Sequence, residues 1–351
     1  MTIDQSYTRT HERLQDLRQR EDLPLLDLTD TRRYVILSDI HLGDGGAADD
    51  FQPNEETLLH ALNHYHHHGY DLILLGDIEE FWQFDLDQIV DEYDATIYEA
   101  IRAFGDDRVH RVFGNHDREW GGLVDPIRNG ASSYAHAPEA LKFRDASGRV
   151  VILLVHGHQG SHTADKNMWF SRFFVRLFKW VEPAARWLHI YSHTSATKSQ
   201  IPRNYERIFY EWAKQARLLI ICGHSHRAIF ASRSYAEILR DAITTLKIEN
   251  LRDPTNTPTV RANMHTIERL EEKLAEEKEK GRDIAPPEPE GVPLPCYFNS
   301  GCTLYTDGLT ALEITGGAIR LVKWDNDITL DERRIIYNED NLDDIIRRVV
   351  G

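Results

Sequence analysis

The chain has 351 residues, a formal net charge of −16 and ordinary proportions of hydrophobic (41%) and charged (28%) residues. Its length allows one large domain or two small ones with a buried core. The acidic charge argues against general binding to nucleic acid, because a phosphate backbone would be repelled except at a locally basic site. A phosphate substrate is not excluded, since bound divalent cations reverse the local field.

Cysteine content and the N-terminal sequence favour a cytoplasmic protein. Cys222, Cys296 and Cys302 form an odd set with no paired spacing, which indicates a reducing compartment and small core residues. The first 22 residues are polar and lack the apolar segment of a signal peptide. No run of about 18 uncharged apolar residues occurs, so we expect no membrane-spanning helix.

The first two thirds of the chain have the pattern of an α/β sheet protein. Residues 1–30 are predicted to be an N-terminal helical extension, with a helix from about Asp4 to Glu21. From Arg33 to about Cys222, short β-branched runs alternate with helical patterns, which indicates an α/β architecture in a domain over residues 31–351. The helical patterns cover Glu55–His68, Leu86–Phe104 and Arg203–Gln215.

After Cys222 the pattern changes. Residues 255–295 are predicted to be an insertion, in which a charged helical run (263–280) precedes an irregular Pro-rich stretch. We expect a surface arm, either a solvated helix with a linker or a dimer contact. Three strand patterns then close the chain, with Gly316-Gly317 as a hairpin turn between the last two. They are Cys296–Tyr305, Leu309–Ile314 and Ala318–Trp324.

Five short polar motifs each follow an apolar run, in one order along the chain. In open α/β sheets, ligands and metals collect in the loops at the carboxyl ends of the strands. The motifs combine carboxylate, amide and imidazole donors without cysteine, which suits a pair of divalent first-row metals better than structural zinc. The motifs are Asp39-Ile40-His41, Gly76-Asp77-Ile78-Glu79-Glu80, Gly114-Asn115-His116-Asp117, His156-Gly157-His158 and Gly223-His224-Ser225-His226.

The donor types indicate how such a site could work. In an extended segment the side chains of Asp39 and His41 point the same way, and the two carboxylate oxygens of Asp77 can bridge two cations. Asn115 offers a neutral carbonyl oxygen beside the imidazoles. The alternative is that these are unrelated loop residues and satisfied core histidines. Five motifs in order, each after a predicted strand, favour a two-metal phosphoesterase site.

These motifs resemble the calcineurin-like metallophosphoesterase family, whose pattern is D-x-H, G-D-x-x-D/E, G-N-H-D/E, H and G-H-x-H. The resemblance covers about residues 33–231 and the strands after 295. It implies an α/β sandwich of two mixed β-sheets packed face to face and flanked by helices, with two divalent metals at the strand ends. Manganese is expected, with iron or zinc as alternatives.

The resemblance also implies a ligand set, position by position. One metal would take Asp39, His41, Asp77 and His226. The other would share Asp77 and take Asn115, His156 and His224.

The same resemblance implies hydrolysis of a phosphodiester or pyrophosphate bond. Two cations about 3.5–4 Å apart activate a bridging hydroxide for in-line attack and clamp the phosphoryl oxygens. His116, next to a ligand, is the candidate general acid, and Glu80 is its expected carboxylate partner. His158, two residues after His156, is a candidate for a hydrogen bond to phosphate or for support of the metal ligands from behind.

A long insertion separates His156 from His224. Sixty-seven residues lie between them, and residues 160–200 are predicted to form a helical cap. Within it, residues 168–191 combine aromatic side chains at helical spacing with interleaved Arg and Lys. This pattern is typical of an interfacial helix at a membrane surface or a lid over an acyl chain. An ordinary core helix whose basic side chains reach outward is the other interpretation.

A narrower resemblance concerns the UDP-2,3-diacylglucosamine pyrophosphohydrolases. The run GDIEEFW (76–82), the His156-Gly157-His158 motif and the predicted cap are similar to theirs. The resemblance implies a lipid-linked or nucleotide-sugar substrate and places Lys198 near a substrate-contacting lysine of the cap. That subfamily typically has Arg in place of His116, and the segment 232–300 is extra.

Two other functions stay open. The same chemistry could serve a soluble nucleotide or a phosphoprotein, with the cap as core or as an oligomer contact. A non-catalytic metal-binding scaffold is disfavoured, because such proteins usually lose ligands and this chain retains all seven together with His116.

Overall fold

The computed structural model describes residues 3–118, 126–127, 137–160, 200–279, 293–327 and 333–351. Residues 168–191, most of the predicted cap and Lys198 lie outside these ranges. Among the described residues, no helix is both long and apolar enough to span a bilayer.

The described strands form two mixed sheets. The strands are β1 (Leu25–Asp27), β2 (Arg33–Leu37), β3 (Asp71–Leu75), β4 (Val109–Val112), β5 (Ala140–Arg144), β6 (Val150–Val155), β7 (Leu219–Cys222), β8 (Ala228–Phe230), β9 (Arg233–Ser234), β10 (Tyr297–Ser300), β11 (Gly308–Thr315), β12 (Ala318–Asp325) and β13 (Arg334–Asn341). The six-stranded sheet has the order β13-β12-β11-β2-β3-β4, and the seven-stranded sheet has the order β1-β5-β6-β7-β10-β8-β9.

Helices flank the sheets in the same ranges. They are α1 (Ile3–Gln19), α2 (Glu55–His67), α3 (Leu86–Tyr93), α4 (Glu99–Arg102), α5 (Gln200–Ala216), α6 (Tyr235–Arg252), α7 (Thr257–Glu279) and α8 (Leu342–Val350). A π-helical turn over Asp94–Tyr98 joins α3 to α4, so the helix predicted over Leu86–Phe104 is divided.

Alternation along the strands produces two apolar cores. Because neighbouring residues of a strand point to opposite faces, Tyr34 and Ile36 of β2 pack in one core while Val35 and Leu37 pack in the other. The first core joins the two sheets with α1, α5 and α8, and the second fills the space between the six-stranded sheet and α2 to α4. The predicted class, two mixed sheets flanked by helices, is confirmed.

Several elements differ from the sequence-based expectation. The strand predicted over Cys296–Tyr305 ends at Ser300, because Gly301 follows with a φ of +80° that breaks the extended backbone. β1, α6, β13 and α8 had no predicted counterpart. β1 lies within the predicted N-terminal extension and pairs with β5, far away along the chain. β13 is only half-buried, so its sequence lacks a continuous apolar run.

The parallel strands determine where the functional loops meet. β2, β3 and β4 run parallel as neighbours in one sheet, and β6 and β7 do so in the other. Since the carboxyl ends of parallel strands lie on the same edge of a sheet, the loops that follow these five strands converge.

Candidate metal centre

The loops after β2, β3, β4, β6 and β7 carry all seven predicted ligands. Asp39, His41, Asp77 and Asn115 follow strands of the six-stranded sheet, and His156, His224 and His226 follow strands of the seven-stranded sheet. The first two loops run side by side: the carbonyl oxygen of Asp77 accepts hydrogen bonds from the backbone N–H groups of Ile40 and His41 at 2.9 and 3.0 Å. The candidate site therefore lies between the two sheets.

Left-handed backbone conformations are concentrated at these ligands. A positive φ is uncommon for residues other than glycine and costs on the order of 1–3 kcal/mol when the surrounding structure enforces it. Five predicted ligands have a positive φ, so the surrounding loops hold a backbone conformation that an unconstrained chain would avoid. They are Asp39 (53°), His41 (54°), Asp77 (53°), His224 (67°) and His226 (53°).

Glycines before the ligands allow the loops to approach closely. A Cβ on Gly114 would lie 2.0 Å from Asp77 Oδ1, and one on Gly76 would lie 2.6 Å from His156 Nδ1. A Cβ on Gly223 would lie 2.6 Å from Asp39 Oδ2. No real Cβ atom makes such contacts. Only glycine therefore fits sterically before the Asp, Asn and His of the Gly-Asp, Gly-Asn and Gly-His motifs.

Among the residues that the structure describes, three groups of donor atoms lie close enough to hold a cation. In each group the atoms are within 4.8 Å of one another: Asp39 with His41 and His226, Asp77 with His156 and His224, and His41 with Asp77 and His116. Asp77 Oδ2 lies 2.9 Å from His156 Nε2 and 3.9 Å from His41 Nε2. Asp77 thus connects donors from both sheets.

Buried polar atoms at the centre fit a metal. His41 Nε2 and Asn115 Oδ1 are buried and have no hydrogen-bond partner among the described residues, and buried His156 Nε2 faces the Asp77 carboxylate at 2.9 Å. The opposite nitrogen of each imidazole is engaged, since His156 Nδ1 donates to the Leu75 carbonyl oxygen at 2.8 Å and His41 Nδ1 donates to the Glu80 carboxylate at 2.8 Å. These bonds orient both Nε2 atoms toward the site, as metal-bound imidazoles require.

The protein's own charges keep the carboxylates ionised. Burial alone would raise the pKa of Asp39, but His226 and His156 lower it to about 2. For Glu80 burial is again opposed, here by His116 and His41, and the pKa falls to about 2. Burial lowers the pKa of His224 to about 3, with a further contribution from His156. Ionised oxygens beside a neutral imidazole are suitable ligands for a divalent cation.

His116 occupies a separate position at the rim of the centre. Its Nδ1 donates to the Glu80 carboxylate at 2.8 Å, and its side chain is 21% exposed. Burial lowers the pKa of His116, but Glu80 and Asp77 outweigh this effect and raise it. Trp82 stacks on the imidazole, with ring centroids 3.9 Å apart and planes inclined by 19°. The ring is therefore held from two sides.

His158 lies beside the centre. It is buried, its ring centroid is 5.6 Å from that of His156, and its Nδ1 has no hydrogen-bond partner in the described part of the chain. Burial, followed by the charge of His156, lowers the pKa of His158 well below its usual value. Lys198, the other predicted substrate contact, is outside the described residues.

Three supporting residues were not predicted in their structural roles. Asp117 accepts a hydrogen bond from the Ile78 N–H at 2.8 Å and another from the Gly114 N–H, so it connects the second and third loops. Trp82 clamps His116, and Glu80 binds a metal-ligand candidate as well as His116. Asp117 and Trp82 lie within the quoted motifs, but no residue type reveals which loop its side chain will reach.

Comparison with known proteins identifies the class. The family model of calcineurin-like phosphoesterases matches residues 32–228, which is more than half of the chain. The chain belongs to this family. It is a hydrolase that acts on phosphoric esters, and its family uses divalent metal ions for that reaction.

Among the solved structures that are similar to this chain is a conserved uncharacterized protein from Streptococcus pneumoniae, described as a predicted phosphoesterase. The two chains are 11% identical, the alignment covers 87% of this chain and 96% of that chain, and the TM-score is 0.29. A search of curated proteins found no match. The family assignment rests on the family model.

Replacing Gly114 tests the steric argument. We expect Gly114→Ala to lower divalent-metal affinity about ten- to a hundredfold, because the new methyl group displaces the Asp77 carboxylate. Calorimetric titration with Mn²⁺ measures the change. Gly46→Ala is the matched control, since the nearest atom to its Cβ is the movable end of Asp44 at 2.9 Å. Equal affinity in both variants would contradict this role of Gly114.

Proposed function

We propose that the chain is a binuclear metallophosphoesterase that hydrolyses a phosphodiester or pyrophosphate bond. The observation that carries the proposal is the membership of Asp77 in two donor groups, one with His156 and His224 and one with His41 and His116. A carboxylate shared in this way can bridge two cations. The proposed ligands of the first metal are Asp39, His41, Asp77 and His226, and those of the second are Asp77, Asn115, His156 and His224.

The donor set supports manganese, with iron or zinc as alternatives, because oxygen and imidazole ligands occur together without thiolate. When bound, the two cations lower the pKa of a water molecule, orient the phosphoryl oxygens and offset the charge that develops at phosphorus. The chain's own part is to hold the ligands between the sheets. The left-handed loops and the close glycines keep those side chains in place before substrate arrives.

His116 is the proposed general acid. Because its Nδ1 is bonded to Glu80, its Nε2 is the nitrogen that can protonate the leaving oxygen. Glu80 and the stacked Trp82 position the ring for that transfer. Glu80 also orients His41, so it is a positioning residue for two imidazoles.

We further propose a lipid-linked or nucleotide-sugar substrate. The motif 76–82 and the aromatic, basic segment 168–191 support it, and His158 and Lys198 are the proposed substrate contacts. His158 supports this role through its buried position beside His156. The segment 168–191 would bring an otherwise cytoplasmic protein to the inner membrane face. A soluble nucleotide or phosphoprotein is the second candidate substrate.

Loss of the shared carboxylate tests the core of the proposal. We expect metal-free protein reloaded with Mn²⁺ to hydrolyse bis-p-nitrophenyl phosphate, and Asp77→Asn to lose that activity because an amide cannot bridge two cations. Release of p-nitrophenolate provides the measurement. Asp91→Asn, on the exposed face of α3, is the control that should retain activity. Two bound metals without turnover would instead favour a non-catalytic scaffold.

Replacing His116 should affect turnover without affecting metal binding. We expect His116→Ala to keep its bound metal and to lose about 10²–10⁴-fold in turnover of a diester with an alkoxide leaving group. The loss should be smaller with p-nitrophenolate, which leaves without a proton. Bound metal per chain and the rates on both substrates are the measurements.

The reverse result would change the role of His116. Since it also lies in a donor group with His41 and Asp77, a fall in metal content would make it a ligand. Full turnover of the alkoxide diester would remove the acid assignment. Glu80→Gln is the comparison variant, and it should lower metal affinity as well as turnover because Glu80 also binds His41.

The substrate proposal has its own test. We expect a pyrophosphate diester that carries acyl chains to be hydrolysed with a higher kcat/KM than its soluble headgroup. The comparison is made by measuring release of the monophosphate product from each substrate. Both substrates are used at equal concentrations below the critical micelle concentration. Equal values would favour the soluble-nucleotide alternative.

A further inference from the structure

Helices α6 and α7 form an antiparallel hairpin that is anchored at one end. The first half of α6 is buried at Tyr235, Ala236, Leu239 and Ile243, and Tyr235 stacks on Tyr337 with ring centroids 3.8 Å apart. Beyond Ile243 the described side chains of α6 are mostly exposed, and the two helices contact mainly each other. The distal half is thus held by contacts within the hairpin.

Contacts between the two helices keep this distal half in one register. Asn263 Nδ2 donates to Asn250 Oδ1 at 2.9 Å, and Lys247 Nζ lies 2.7 Å from Glu271 Oε1. Ile267 is the buried apolar residue of α7 here. The hairpin therefore presents a defined surface.

That surface is unusually apolar for a solvated arm. Leu251 is 80% exposed, Met264 62% and Ile248 44%. These are three of the five large hydrophobic side chains that are exposed in the described part of the chain. Clustered exposed apolar side chains mark interaction surfaces, whereas isolated ones are ordinary.

Opposite charges flank the apolar patch along α7. Met264 and His265 come three and four residues after Arg261, and Glu268 comes four and three residues after them. These spacings place the four residues on one stripe of the helix, and all four line a groove with Leu251. Arg261 and Glu268 are seven residues apart, about 10.5 Å at 1.5 Å per residue. Neither makes an ion pair or a side-chain hydrogen bond with another described residue.

This arrangement is complementary to itself under a two-fold rotation. If two α7 helices lie antiparallel with the axis between Met264 and His265, Arg261 of each copy is opposite Glu268 of the other. The exposed Leu251 and Met264 side chains then fall near the centre, and the ion pairs lie at the edges. This is the order of a specific isologous interface, with an apolar core and a polar rim.

We propose that the distal face of the α6–α7 hairpin, formed by Leu251, Arg261, Met264 and Glu268, binds a second copy of this chain in an antiparallel two-fold dimer. The anchored end of each hairpin stays with its own domain. The contact is independent of the metal centre and of the substrate proposed above.

Charge reversal tests the proposed register. In Arg261→Glu both edge pairs become Glu–Glu, and in Glu268→Arg both become Arg–Arg. We expect each variant alone to raise the dimer dissociation constant by about a hundredfold or more, because like charges face each other twice. An equimolar mixture of the two variants should restore the dimer, since every edge pair is then opposite in charge.

Sedimentation velocity over a range of concentrations measures the assembly. The unaltered protein should reach twice the 40.6 kDa chain mass. Arg269→Glu, an exposed change on a neighbouring face of α7, is the matched control and should still dimerise. Leu251→Asp should dissociate the dimer without restoration by either charge variant.

Three results would overturn the proposal. A monomer at every concentration removes the dimer, and a dimer indifferent to both charge reversals places it on another surface. Loss in both single variants without recovery in the mixture excludes this antiparallel register. Hydrolysis of bis-p-nitrophenyl phosphate by the same variants should be unchanged, which separates this test from the test of the metal centre.

Discussion

The carboxylate and backbone of Asp77 are the constraint on which the rest of the centre depends. Its carbonyl oxygen receives the N–H groups of Ile40 and His41, and its Oδ1 receives the N–H of His116 at 2.8 Å. Its Oδ2 lies 2.9 Å from His156 Nε2, which belongs to the other sheet. Burial would raise the pKa of Asp77, but His156 and His116 hold it well below the usual range. A single ionised residue thus joins three loops of one sheet to the opposite sheet.

Buried groups behind Asp77 keep its loop in the left-handed conformation. Asp117 connects the backbones of Ile78 and Gly114, and Arg111 lies 3.6 Å from the Asp117 carboxylate and pairs with buried Glu79. Such networks resist distortion because breaking one bond leaves a buried charge without compensation. The backbone strain at the predicted metal ligands is therefore maintained by residues that need not touch a substrate.

The sequence was sufficient for the class of fold and for the residues that converge, since each motif directly follows a strand and parallel strands share an edge. The sequence did not predict features that depend on contacts between segments far apart along the chain. β1 is three residues long and exists because β5 lies beside it. The Glu80–His41 bond could not be derived, because the distance between two loops depends on the packing of both. The left-handed conformations of Asp39 and Asp77 also could not be predicted from the sequence, because neither residue type requires them.

The division of the centre between two sheets has a thermodynamic consequence. Asp39 and Asp77 come from one sheet and His156 and His224 from the other, so a full set of donors exists only while the sheets are docked. Ligand binding to the docked state alone adds RT ln(1 + [L]/Kd) to stability, about 4 kcal/mol at a thousandfold excess over Kd. That free energy acts on the interface between the sheets, which is the main core of the domain. A cation bound here would stabilise the docking of the two sheets and hence the whole fold. Removing it should increase amide hydrogen exchange together in the central strands of both sheets, β3 and β7.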